Sequence, residues 1–144
     1  MTHRRSTILA ATFTAAVALA GWATSSRAAD SNGNDQAAEG GKLYAKHCAK
    51  CHGAGGEGTK KAPAVVGKAA LPLDAPATAK VRKSQFHTAQ DVAEFVATKM
   101  PANKPGSLTV DEYYQILAFD LKANGVDVSA KKIDPKSAAE IKLH

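Results

Sequence analysis

The clearest capacity for chemistry in this chain lies in Cys48-Ala49-Lys50-Cys51-His52, two thiols and an imidazole within five positions. C-x-x-C-H is the spacing at which two cysteines add across the two vinyl groups of one haem as thioethers, while the adjoining histidine offers a ring nitrogen to the iron. A zinc site would need four ligands, and the 2 cysteines of the chain cannot supply a set of that kind. A thioredoxin-like dithiol would sit in a βαβ pattern, whereas Ala, Gly and Lys surround this motif and no β-branched run precedes it.

An iron held by His52 on one face leaves the other face open to a second ligand. Met100 is the only methionine apart from the initiator, so a search for a sulfur ligand has one answer. A thioether opposite an imidazole raises the reduction potential relative to two imidazoles. A single methionine is more often core filling, but the Met100-Pro101 context and the long separation from His52 favour the ligand reading. His47 adjoins the first cysteine and lies too close in sequence to reach the opposite face, so it is expected on the helix surface or at the haem edge.

Gly40-x-x-x-Tyr44-x-x-x-Cys48-x-x-Cys51-His52, then Ala62-Pro63-Ala64, then Lys99-Met100-Pro101, resembles a class I c-type cytochrome. Met100-Pro101 followed by Pro105-Gly106-Ser107-Leu108-Thr109 and the Ala123-Asn124-Gly125 exit is similar to monohaem cytochromes that accept electrons from periplasmic dehydrogenases. The resemblance implies an all-α fold in which N- and C-terminal helices cross and a Met-bearing helix and loops wrap one covalent haem c. It implies that Cys48 and Cys51 anchor the haem and that His52 and Met100 are its axial ligands. It further implies that the backbone carbonyl of Pro63 accepts from the other nitrogen of His52. Gly40 takes the role of the glycine that lets the two terminal helices approach, and Tyr44 that of its aromatic neighbour. The alternative for Gly40-Gly41 is a frayed helix start.

These residues need elements to hold them. A helix is expected from Gln36 to about Cys48, capped by Asn34 or Asp35. The Gly-rich stretch from Gly53 to Thr59 would wrap the haem edge. It is no phosphate loop, because no G-K-[ST] follows in register. Between Gly67 and Gln85, Pro72 and Pro76 leave no regular structure to assign, with Leu71 and Leu73 expected at the lower haem edge. Thr88-Ala89-Gln90-Asp91 reads as a cap for a short helix carrying Val92, Phe95, Val96 and Lys99 at helical spacing. Pro101 ends that helix at Met100. Thr109 with Glu112 forms a capping box for a helix from Val110 to Asn124, stopped by Gly125. Asp134-Pro135 starts a last short helix, with Ile141 and Leu143 folding back on the body.

One residue breaks the pattern. At about 100° per residue, Asp120 falls about 40° from Ile116, inside the stripe of Tyr113, Ile116, Leu117 and Leu121. Members of the resembled class commonly carry an aliphatic residue there. A buried carboxyl must be paired, hydrogen-bonded or protonated, and the candidate partners are Arg82, His87 and nearby lysines. The alternative is a helix rotated enough to expose it.

The 144 residues carry a formal charge of +6. Arg4 and Arg5, the apolar run from Ile8 to Ala23 and the small-residue exit at Ser26 and Ala28 read as a secretion signal over 1–28. The run is short for the ~20 residues that span a bilayer. Without Arg4, Arg5 and Arg27 the formal charge falls to about +3, which weakens any case for a strongly anionic partner. No basic cluster is interleaved with aromatics, so nucleic-acid binding has no support. Residues 29–34 read as a disordered tether and 35–144 as one monohaem domain.

The expected function is periplasmic one-electron transfer by a carrier that is soluble after signal cleavage and is not an enzyme. Its partners are a redox donor and acceptor, such as a periplasmic dehydrogenase and a terminal oxidase. Lys50, Lys60, Lys61, Lys99 and Lys104 lie near the motif or the Met100 loop and could ring a docking edge. The rival readings are a dedicated subunit of a dehydrogenase complex and a haem enzyme or gas sensor with an open sixth position.

Overall fold

The computed structural model describes residues 32–144, so the expected leader and the start of the tether lie outside the described residues. The first helix, α1, runs Gly33–His47, and α2, a single turn over Ala49–His52, follows after Cys48. A long irregular segment leads to α3, Ala89–Lys99. Two further helices follow among the described residues, α4 over Val110–Ala123 and α5 over Pro135–Glu140. No β-strand occurs among the described residues; one isolated bridge joins Thr88 to Lys142. None of the described helices is long and apolar enough to cross a membrane.

The first helix starts earlier than the sequence suggested, so the expected tether already turns helical at Gly33. The Asn32 side chain accepts from the Asp35 N–H at 3.1 Å, in place of a cap at Asn34 or Asp35. Tertiary contacts explain the shift. Gln36 is buried and its amide donates to Ile133 O at 2.8 Å while accepting from Ile133 N at 2.6 Å. A Cβ on Gly33 would stand 1.7 Å from Val128 O, so the helix start is pressed against the C-terminal tail. Local cap grammar has no access to a partner that distant in sequence.

The frame of the fold is the crossing of α1 over α4. Gly40 makes the crossing possible, because a Cβ there would sit 1.8 Å from the Gln115 carbonyl oxygen. This backbone-on-backbone approach settles the role of Gly40 against a frayed start. One turn on, the Tyr44 ring tilts over Phe119 with centroids 5.0 Å apart. The apolar stripe of α4 buries Tyr113, Ile116, Leu117 and Leu121 as its periodicity requires.

The other helices close the core around that pair. The core gathers Phe86, Ala89, Val92 and Ala93 with Leu117, Leu121 and Ile133. Both expected capping boxes form, Thr88 with Asp91 and Thr109 with Glu112. Asp134 caps α5 with Pro135 in its first turn, and Ile141 and Leu143 pack back on the core. Leu71 also packs there, from a left-handed backbone conformation at φ 46.

Candidate haem site

Cys48 is the joint between α1 and α2. Its N–H still bonds to Tyr44 O at 2.8 Å, and its carbonyl accepts from both Cys51 N and His52 N at 3.0 Å. The result is one more helical turn that carries Cys51 and His52 round from Cys48. Both thiols are free, with Cys48 half-buried and Cys51 exposed. Burial first, then the nearby Asp120 and Cys51, push the Cys48 thiol up to about 12.

The Gly-rich loop brings the chain back onto His52. Gly58 N donates to His52 O at 2.7 Å and Thr59 N to Ala62 O at 2.9 Å. Gly58 has φ +86, and a Cβ there would meet Ala64 N at 2.6 Å, so only glycine fits this tight return. The return places the carbonyl of Pro63 2.8 Å from Nδ1 of His52. A carbonyl accepts only, so Nδ1 carries the proton and Nε2 keeps its lone pair. That is the tautomer a metal-binding imidazole needs.

Three more contacts tie the loop to the helices. Tyr44 OH donates to Gly53 O at 3.0 Å, Thr59 Oγ1 donates to Cys51 O, and the Asn124 amide donates to Val65 O at 2.8 Å. The Met100 side is anchored separately. Met100 ends α3 in an extended conformation, with its N–H still bonded to Val96 O. Tyr113 OH donates to the Met100 carbonyl at 2.7 Å, so α4 fixes the backbone of the residue the sequence singled out. Spacing alone gave no sign of that hydrogen bond. His47 is half-buried on α1, and the five lysines near the motif and the Met100 loop are all exposed.

Two buried side-chain atoms have no hydrogen-bond partner among the described residues, Arg82 Nε and Asp120 Oδ1. Arg82 is only 6% exposed. One of its terminal nitrogens donates to Pro72 O at 2.7 Å and Leu73 O at 3.1 Å, and its guanidinium stacks on Phe86 at 3.9 Å. The side chain makes no ion pair among the described residues. Asp120 is likewise 6% exposed, and burial pushes its carboxyl up to about 8. None of the expected cations pairs with it. Arg82 is committed to Pro72 and Leu73, and His87 to Gln85. Wheel geometry placed Asp120 on the buried face correctly but could not tell which way the candidate partners turn.

The family model described as cytochrome c oxidase, cbb3-type, subunit III matches residues 35–119, more than half of the chain. A chain of the crystal structure of the sulfane dehydrogenase SoxCD from Paracoccus pantotrophus superposes with a TM-score of 0.57 at 26% identity. The match covers 78% of this chain and 58% of that one, so this chain spans little more than half the length of that relative. No curated protein matches it.

Proposed function

Because the chain belongs to the c-type cytochrome family of the cbb3-type oxidase subunit III domain, a class I c-type cytochrome by fold, we propose that it is an exported one-electron carrier. The proposed site holds one covalent haem c, with Cys48 and Cys51 as thioether anchors and His52 and Met100 as axial ligands. The observation that carries this reading is the His52 ring, oriented by donating its Nδ1–H to the Pro63 carbonyl at 2.8 Å within a C-x-x-C-H turn.

The residues present fit the group. Arg82 is a buried guanidinium whose Nε has no partner and which makes no ion pair among the described residues, a cost that a haem propionate would offset. Cys48 and Cys51 lie in one helical turn with His52. Haem, when bound, supplies a one-electron iron couple whose potential follows its axial ligands and surroundings. The chain's own part is to hold, orient and shield. The Cys48–Cys51 turn fixes position, Pro63 fixes the imidazole, and Tyr113 holds the Met100 backbone. The half-buried Phe95, Val96 and Leu71 offer apolar surface at the edge of the core. These residues bind and tune but carry out no bond chemistry on a substrate.

The optical spectrum of the purified ferric protein tests the ligation. A weak charge-transfer band at the red edge is expected, lost in Met100→Ala while haem stays attached and the potential falls. An unchanged spectrum in that variant removes Met100 from the site, and a high-spin wild type with rapid carbon monoxide binding replaces the carrier by a haem with an open position.

A second reading is favoured by the likeness to a chain of a dehydrogenase structure. It makes this cytochrome a dedicated subunit that takes electrons from one periplasmic dehydrogenase and passes them toward a terminal oxidase. Size exclusion of native extract separates the two, since a free carrier elutes near its own mass. The sequence signal for secretion places either form in the periplasm in this proposal; peptide mapping of the mature N-terminus checks it.

A further inference from the structure

Asp120 is the one acid among the described residues that is buried and has a carboxyl oxygen without a partner. It sits on the apolar face of α4 among Ile116, Leu117 and Leu121, where neither pairing nor structure explains a carboxyl. Its position along the helix crossing is informative. The preceding residue, Phe119, packs tilted against Tyr44, and Cys48 follows one turn after Tyr44 as the cap of α1. The Asp120 charge acts on both Tyr44 and Cys48. The carboxyl is thus close enough to Cys48, the first thioether anchor of the site proposed above, for its charge to act there.

We propose that Asp120 is a proton-binding site coupled to the charge of the haem, giving up its proton when the haem is oxidised and regaining it on reduction. The inference rests on the haem reading of the preceding subsection. On oxidation one electron leaves the haem for a one-electron acceptor and one positive charge is gained. The O–H bond of Asp120 then breaks, its electron pair stays on the carboxylate and the proton passes to solvent. Reduction reverses each step, so the couple transfers an electron and a proton together across the pH range in which the group titrates.

The surroundings isolate this group. Burial raises its proton affinity, and no cation among the described residues pairs with it. From α1 the titratable neighbours are Tyr44 and Cys48. The first is held protonated by burial, and the second is consumed by the thioether in this reading. From α3 the polar contact to α4 is Gln90 with Tyr114 OH, which carries no charge. From the loop before α3, Val65 and Gly67 reach α4 through the Asn124 amide, again without charge. On α4 itself Lys122 is exposed.

The test is voltammetry of the holoprotein between about pH 5 and pH 10, with ferricyanide-driven oxidation in weak buffer to count protons. The wild-type potential should fall as pH rises through the titration, with a slope approaching the tenfold-per-unit value of about 59 mV for one electron. Asp120→Asn should hold the acid-limb potential throughout and release no proton on oxidation. An infrared redox difference spectrum of the wild type should lose a protonated-carboxyl band on oxidation, which keeps the test open if the variant folds poorly. Superimposable curves for the two proteins, or no carboxyl band, would overturn the proposal. The pyridine haemochrome spectrum separates this from failure of the haem reading. Thioether haem with superimposable curves defeats the Asp120 proposal alone, while absence of thioether haem defeats the reading beneath it.

Discussion

Gly40→Ala should be far more damaging than its size suggests. The added methyl would stand 1.8 Å from the Gln115 carbonyl oxygen and 2.4 Å from its carbon, and both are helix backbone that cannot turn aside. Real contacts of this kind essentially never fall below 3.0 Å, so α1 and α4 must part by about 1 Å along their closest seam. Overpacking of this sort costs about 3 kcal/mol, and alanine's better helix propensity returns about 1 kcal/mol. The net loss is about 2 kcal/mol, equivalent to about 8 °C in Tm for a domain of this size. Gly41→Ala is the internal control. Its methyl meets only the Phe119 ring edge at 3.2 Å, a side chain that can yield, so propensity should make this variant neutral to slightly stabilising. Thermal and urea unfolding of the two holoproteins, followed by circular dichroism, makes the comparison. A Gly40→Ala protein within about 0.5 kcal/mol of wild type, or a Gly41→Ala protein equally weakened, would refute the close-crossing argument.

Tyr113→Phe removes the hydroxyl that holds the Met100 carbonyl at 2.7 Å. It should cost about 1 kcal/mol of stability and speed displacement of the sixth ligand by added imidazole; an unchanged displacement rate would show that the bond does not restrain Met100. Cys51→Ser should abolish stable haem attachment, which intact-mass spectrometry reads as the loss of the haem increment, and full addition would contradict the anchor role. Hydrogen bonds from Thr88 hold the Asp91 carboxyl below its ordinary range. A depressed carboxyl contributes stability above its unfolded titration that is lost as pH falls through its folded one. Acid unfolding of Asp91→Asn should therefore be flatter below about pH 4 than that of wild type, and parallel acid limbs would remove Asp91 from the balance. Thr88→Ala should lower stability by about 1 kcal/mol at neutral pH, measured by urea unfolding; no change would mean that the cap is dispensable.

Much of this architecture was legible because its signals are local. The caps at Thr88, Thr109 and Asp134 are side chains bonding three residues on, and the stripe of α4 follows a fixed period. The candidate site residues stand out in the sequence for a related reason, since C-x-x-C-H and a single methionine beyond the initiator leave few alternatives. What escaped was set by partners distant in the chain. The start of α1 depends on the C-terminal tail through Gln36, and the isolation of Asp120 depends on Arg82 turning to Pro72 and Leu73. The stretch from Gly67 to Gln85 stayed opaque because its shape comes from scattered backbone bonds, such as Phe86 N to Leu73 O, with no periodicity to betray them.

The paired bonds between Gln36 and the backbone of Ile133 bear on the order in which the protein can be made. They join positions 97 residues apart, so this clasp on the start of α1 forms only after Ile133 has been synthesised. The crossing at Gly40 waits in the same way for Gln115. Until those later segments dock, Cys48 has yet to acquire the burial that raises its thiol to about 12. The haem attachment proposed for the Cys48–His52 turn therefore meets an accessible thiol in a chain whose tail has not yet docked, and a chain shortened ahead of Ile133 would lack the Gln36 clasp altogether.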